Sequence, residues 1–398
     1  MKGLIILFAA AAISSCAAKQ EGCTTTVAPI AADSTQSFAT GLLRTVYAAS
    51  GQENVCVSPA SAKWAMAMTV NGASGTTATE IFGTLGYPID EELLAGFNSR
   101  QLVDINELEG AQHAQVNIAN SIWVKDGIKI KPAFACNGEK FYNATIKSNS
   151  FDAKGIKEIN DWCSEKTNGK IDGILSKPAP GTQALLVNTL HFKARWAKPF
   201  NKAATEEQPF TKADGTKAGV PMMYSSANSP YYEDSIMQAT AKPFEGGEYS
   251  MLLILPTKGT STAQCAEHFA QIYGKEFLKG KWCNVVLKMP RFECSFSTSL
   301  KEPLKEMGIK EAFTAKAQFG KMSQTPLMID DVIQKTYIAV DEEGAEAAAA
   351  TAVQMALAGL RPQEKKYITL DRPFIYAIKH NRSGEILFTG ILNDPKEK

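Results

Sequence analysis

At 398 residues the chain can bury one large core or two ordinary ones without disulfide or metal staples. Its 42 Lys and Arg face 41 Asp and Glu, a formal net charge of +1, so it lacks the basic excess expected of a nucleic-acid protein. A hydrophobic share of 44% excludes general disorder.

Residues 1–16 read as a targeting segment. Met1-Lys2 gives a positive start, and the apolar run Leu4 to Ile13 is too short to cross a bilayer. Ile13-Ser14-Ser15-Cys16 resembles a bacterial lipobox. That resemblance implies cleavage before Cys16, diacylation of Cys16, and anchoring in a bacterial cell envelope, at either face of the outer membrane. Each buried methylene adds about 0.8 kcal/mol, so two or three acyl chains hold where one would not. A plain secretory signal cut near Ala17-Ala18 is the simpler alternative. Residues 17–35 are small and polar, as a flexible tether would be.

Beyond the tether, Phe38 to Ala49 and Pro59 to Asn71 read as helices. The second has Ser58 as its cap and Pro59 at its first turn. GASGTT at 72–77 lacks the lysine of a phosphate-binding loop and reads as a helix end plus turn. ANSIWV (119–124) reads as a strand, and IKEINDWCSEKT (156–167) as a helix with one apolar stripe. Later come the strands ALLVNTLHF (184–192), MLLILP (251–256), NVVLKMP (284–290) and ILFTGIL (386–392). Helices early and strands late indicate an α+β chain, and no inner linker divides residues 36–398.

The chemistry-bearing residues are scattered. Apart from Cys16 the cysteines are Cys23, Cys56, Cys136, Cys163, Cys265, Cys283 and Cys294, an odd set without a C-x-x-C. Cys56, Cys163 and Cys294 sit in apolar patterns and read as buried thiols. An oxidising compartment allows a disulfide, but the sequence does not choose the pair. His113, His191, His268 and His380 have no metal-ligand spacing and read as structural or exposed. No G-x-S-x-G or S-x-x-K occurs, so a cell-envelope hydrolase would lack its nucleophile and base.

One stretch is unusual: VDEEGAEAAAATAVQMALAGLRP, Val340 to Pro362. Its alanines favour helix, yet it lies between strand-like runs. As a strand, Ala345, Ala347, Ala349, Thr351, Val353, Met355 and Leu357 share one small or apolar face, while Glu346 and Gln354 fall on the other. As a lone helix it would be marginal in water. The stretch is shaped to enter a sheet and weakly held outside one.

Several long segments, in order, resemble the serpin family across residues 36–398. They are NVCVSPASAKWAMAMTVNGASGTTATEI (54–81), ANSIWVKDGIKIKPAF (119–134), INDWCSEKTNGKI (159–171), LLVNTLHFKARWAKPF (185–200), DVIQKTYIAVDEEGAEAAAAT (331–351) and DRPFIYAIKHNRSGEILFTGILNDP (371–395). The resemblance implies an α+β serpin fold: a mostly antiparallel central sheet, further sheets, about eight to nine helices and an exposed reactive loop over about 343–362. A monomer that needs no cofactor is expected, and the balanced charge argues against nucleic acid as a partner. Its partners would be serine proteases, trapped as covalent acyl-enzymes while the cut loop inserts into the sheet. A non-inhibitory serpin, a cleavable substrate or binding protein on the envelope, is the rival reading.

The same resemblance carries residue roles. Counting from Glu342 places the reactive bond at Ala358-Gly359; Leu357, Leu360 and Arg361 are the alternatives if the register slips, with Pro362 disfavouring a cut after Arg361. Leu357-Ala358 suits elastase-like proteases, and the leucines suit chymotrypsin-like ones. The hinge is Glu342, Glu343, Gly344, Ala345, Glu346, Ala347, Ala348, Ala349 and Ala350. Gly344 would permit a turn, and Ala345 stands where the family usually has Thr or Ser. Ser58, Ser61, Asn188 and Gln334 match the family's shutter, a polar cluster under the opening sheet. Gln334 replaces the usual histidine, so a pH-linked shutter is in doubt. Trp196 and an Arg291–Glu342 ion pair match the breach, where the loop begins to enter.

Overall fold

A computed structural model describes residues 23–29, 36–51, 53–88, 91–273, 282–346 and 365–396. The expected sites Cys16, Ala347 to Ala350, Leu357, Ala358, Gly359, Leu360 and Arg361 lie outside them.

Helix α1 (Gln36–Ser50) leads into a short strand, β1 (Val55–Val57), and then α2 (Pro59–Val70). Ser58 caps α2, its hydroxyl accepting from the Ser61 N–H. Every residue of α2 is buried, as its apolar make-up on all sides demands. Even Lys63 is inside, paired with Glu385 at 2.6 Å. The glycine-rich turn that ends α2 also opens the next helix, α3 (Gly75–Thr84), followed by α4 (Leu94–Glu109).

Strand β2 (Ala114–Lys125), helix α5 (Pro132–Tyr142), strand β3 (Thr145–Asn149), helix α6 (Ala153–Lys166) and strand β4 (Ala184–Arg195) come next. Four strands follow: β5 (Glu206–Thr211), β6 (Lys217–Glu233), β7 (Met237–Pro243) and β8 (Tyr249–Pro256). Helix α7 (Thr262–Ile272) precedes β9 (Trp282–Pro290), β10 (Phe292–Ser299) and the short α8 (Lys301–Met307). The last strands are β11 (Asp331–Val340), the two-residue β12 (Gly344–Ala345), β13 (Lys365–Thr369), β14 (Phe374–His380) and β15 (Ile386–Leu392).

The strands form two sheets. One has the order β1-β15-β14-β8-β7-β6-β9-β13, with β5 against β6. The other, the central sheet, runs β10-β11-β12-β4-β2-β3, with β11 and β4 also paired directly. Its β11–β4 and β2–β3 pairings are parallel and the rest antiparallel. The main core lies on one face of this sheet and includes Leu186, Leu190, Phe192 and Val332. Helix α6 covers the other face, burying Ile159, Trp162 and Cys163 against Trp123, Leu185, Val187 and Ile333.

The region expected to be a free tether is tied down in part. Cys23 is bonded to Cys136 of α5, across 113 residues. Thr24 and Asn137 exchange hydrogen bonds of 2.9 Å, and the Val27 N–H donates to Ser99 Oγ at 3.0 Å. The described cysteines outside this bond are all buried thiols. Burial pushes Cys163 and Cys265 up to about 12, which keeps them unreactive.

Candidate functional site

The site is the seam between β4 and β11. At its lower end the two strands pair directly in parallel, Asp331 to Gln334 against Leu185 to Asn188. Alternation along each strand puts Asn188 and Gln334 on the core-facing side, above the start of α2. Gln334 Nε2 donates to Asn188 Oδ1 at 3.0 Å and to the Ser58 carbonyl at 2.9 Å; its Oε1 accepts from the Ser58 N–H at 2.8 Å. Asn188 Nδ2 reaches the Ser61 carbonyl at 3.5 Å. The four expected residues Ser58, Ser61, Asn188 and Gln334 therefore meet in one fully buried cluster. The sequence reasoning missed Asn120, which sits opposite Asn188 on β2 and is also fully buried.

At its upper end the same seam is parted. Gly344 and Ala345 stand between the strands, with Gly344 opposite Arg195 and Ala345 opposite both Ala194 and Val340. The loop from Ala345 onwards is expected to enter only after cleavage, but here Gly344 and Ala345 are already in the sheet. Ala345 is fully buried in the main core, as its expected face requires. Gly344 is needed for a different reason from the one anticipated. Its φ is not left-handed; instead a Cβ there would lie 2.1 Å from the Ala194 carbonyl oxygen. Only glycine allows the backbones to approach so closely.

The turn from Asp341 to Gly344 is held from outside the seam. Trp196 donates from its backbone N–H to Glu343 O at 2.8 Å and from its indole to Asp341 O at 2.9 Å. Its ring stacks on Phe244 with centroids 4.3 Å apart. Arg291 Nη2 donates to both Glu342 oxygens, at 2.7 and 2.9 Å, and Thr205 Oγ1 donates to one at 2.7 Å. Burial alone would raise Glu342, but the Arg291 and Thr205 hydrogen bonds outweigh it and hold this carboxyl below its usual range. Glu343 pairs with Lys202 at 2.9 Å. The expected trio Trp196, Arg291 and Glu342 is thus assembled around one turn. Thr205 and Lys202 carried no signal in the sequence.

Lys242 was also missed. Its ammonium donates to the Lys198 carbonyl at 2.7 Å and lies 4.2 Å from the Phe200 ring and 5.3 Å from the Trp196 ring. Burial, with the Lys198 charge nearby, pushes it down to about 7. Between the two ends of the seam, no ladder pairing joins Thr189–Lys193 to Lys335–Ala339 among the described residues.

Comparison with known proteins decides the family. Residues 33–395 match the family described as Serpin (serine protease inhibitor). The chain belongs to the serpin family. An uncharacterized serpin-like protein of Thermococcus kodakarensis is 33% identical over 88% of this chain and 82% of its own length. The leukocyte elastase inhibitor of Bos taurus is 33% identical over 90% of this chain and 97% of its own. Among solved structures, the thermophilic serpin tengpin in its native state superposes with a TM-score of 0.83 at 31% identity, covering 94% of this chain and 97% of tengpin. Human thyroxine-binding globulin complexed with thyroxine gives a TM-score of 0.83 at 27% identity, covering 91% and 98% of the two chains. The serpin fold is therefore shared with relatives whose names indicate different activities.

Proposed function

We propose that this serpin is a suicide-substrate inhibitor of serine proteases. The protease serine attacks the Ala358 carbonyl, the Ala358–Gly359 bond breaks with Gly359 leaving as a free amine, and the loop, held as an acyl-enzyme at Ala358, enters between β4 and β11. The observation that carries this reading is the parted seam with Ala345 already seated at its top. Extending that register gives the path. Six residues further along all three strands, Thr351 arrives between Asn188 and Gln334. Thr351 carries the loop's one hydroxyl between Ala345 and Pro362, and it would take up the polar groups that the separating amides release.

The driving force is the missing strand. Its ladder hydrogen bonds contribute roughly 1 kcal/mol each. Val353, Met355 and Leu357 follow Ala345 onto the core face, each contributing about 1.5–3 kcal/mol on burial. From Ala345 to Ala358 a strand spans about 46 Å, and a domain of this length is roughly 50 Å across. Insertion carries the acylated protease from one pole to the other and strains its active site before deacylation.

Leu357-Ala358 favours elastase-like targets, in keeping with the relation to a leukocyte elastase inhibitor. Leu357 or Leu360 would favour chymotrypsin-like enzymes and Arg361 trypsin-like ones. Lipid attachment at Cys16 would hold the inhibitor at the envelope. With Cys23 bonded to Cys136, Cys16 lies seven residues from the bond in sequence and so reaches at most about 25 Å from it.

The test is to mix the protein with elastase, chymotrypsin and trypsin and run boiled denaturing gels. An adduct that survives boiling, carrying a chain cut after Ala358, is the expected result. A trimmed band without adduct would leave a non-inhibitory serpin.

A further inference from the structure

Glu346 does not continue the strand that Gly344 and Ala345 begin. Its φ is 50°, a left-handed conformation that a β-carbon disfavours. Its N–H still bonds the Ala339 carbonyl at 3.0 Å, but its carboxylate reaches His191, two residues away on β4 from the Lys193 that a continued strand would set opposite it. Glu346 Oε2 lies 2.7 Å from His191 Nε2 and 3.8 Å from Lys170 Nζ. The glutamate and histidine side chains are 4% and 5% exposed. A carboxylate can only accept, so His191 Nε2 carries the shared proton. Glu346 Oε1 and His191 Nδ1 are buried without a protein partner.

The register shows what this contact obstructs. With Ala345 opposite Ala194, an extended strand would set residue 346 opposite Lys193 and residue 348 opposite His191. Glu346 thus fills, with its side chain, the place on the α6-facing side that Ala348 takes when the strand lengthens. Lengthening requires the Glu346 backbone to swing to the extended region and its carboxylate to leave His191.

We propose that the Glu346–His191 contact is a stop that halts the uncut loop at partial entry, with both residues positioning the loop before cleavage. This deepens the insertion reading and rests on it. The hydrogen bond is charge-assisted and buried, so it resists slow spontaneous entry. The left-handed backbone and the two unpartnered atoms work against it. Once cleavage frees the chain to extend, the gain from a full strand overcomes so small a barrier.

The experiment incubates purified protein at a temperature below its melting point and follows, by calorimetry, conversion to a form with a higher melting temperature. Glu346→Ala and His191→Phe should each hasten conversion by roughly tenfold, the factor one charge-assisted hydrogen bond supplies. The double variant should be no faster than either single one, because both remove the same contact. Glu346→Gln, which keeps a hydrogen bond, should fall between. A residue that is only structural would lower the melting temperature of fresh samples and leave this non-additive pattern absent. Unchanged rates in the single variants, additive effects in the double, or no conversion in any chain would overturn the stop. Adduct formation by fresh wild-type protein is scored separately, so failure of the insertion reading is told apart from failure of the stop.

Discussion

The lower and upper halves of the β4–β11 seam are built from the same two strands and end in opposite states. Below, side-chain amides close the seam: Gln334 binds Asn188 and both backbone polar groups of Ser58. Above, the side chains that hold the seam belong to its surroundings, and backbone from the loop fills the middle. The difference teaches that such a sheet needs opposite chemistry at its two ends. At the closed end the Gln334 amide is fully engaged, while both amide atoms of the neighbouring Asn120 are buried without a protein partner, and each such orphan costs about 1–3 kcal/mol. An open end needs small residues, and Gly344 and Ala345 supply them.

The sharpest way to break this contrast is to make the upper end too large. Ala345 is fully buried, so Ala345→Arg must place a guanidinium in an apolar site or keep the loop out. Unpaired burial costs several kcal/mol, and exclusion wins. Inhibition should be lost and the protein cleaved as a substrate. The gel assay would then show a trimmed band and no adduct. Full inhibition by this variant would mean that the loop does not enter through the parted seam.

A smaller effect is expected from opening the lower end. Gln334→Ala removes a side chain with three buried hydrogen bonds and orphans their partners. It should cost about 2–4 kcal/mol in urea unfolding. Arg291→Met at the upper end should cost less, because the guanidinium is half exposed. Equal losses at the two ends would erase the distinction between a closed end and a supported one.

Much of this is legible in the sequence. The segments around Ser58, Asn188, Gln334 and Trp196 resembled family motifs strongly enough to name both clusters. Alternation put Ala345 on the core face and Glu346 on the other. Three things were not legible. Whether Ala345 lies inside or outside the sheet depends on a balance between ladder bonds and loop tension that no local pattern encodes. The Cys23–Cys136 bond joins positions 113 residues apart, and only the packing of α5 brings them together. His191 read as an ordinary histidine because its partner reaches it through a left-handed backbone, which glutamate rarely adopts.

The mildest test concerns acid and the upper end alone. Arg291 and Thr205 hold the Glu342 carboxyl below its usual range in the folded state. In the unfolded chain it titrates near about 4.3. A carboxyl depressed on folding stabilises fully above its unfolded value and loses that contribution as pH falls through its folded one. The guanidinium is half exposed, so solvent screening limits the contribution to about 1 kcal/mol. Arg291→Met should therefore be less stable than wild type at pH 7, and the gap should shrink progressively below about pH 4. Lower-end variants such as Gln334→Ala should keep a gap that does not vary with pH, because an amide does not titrate. A gap for Arg291→Met that stayed constant down to pH 2.5 would show that Arg291 supports the turn through packing rather than charge.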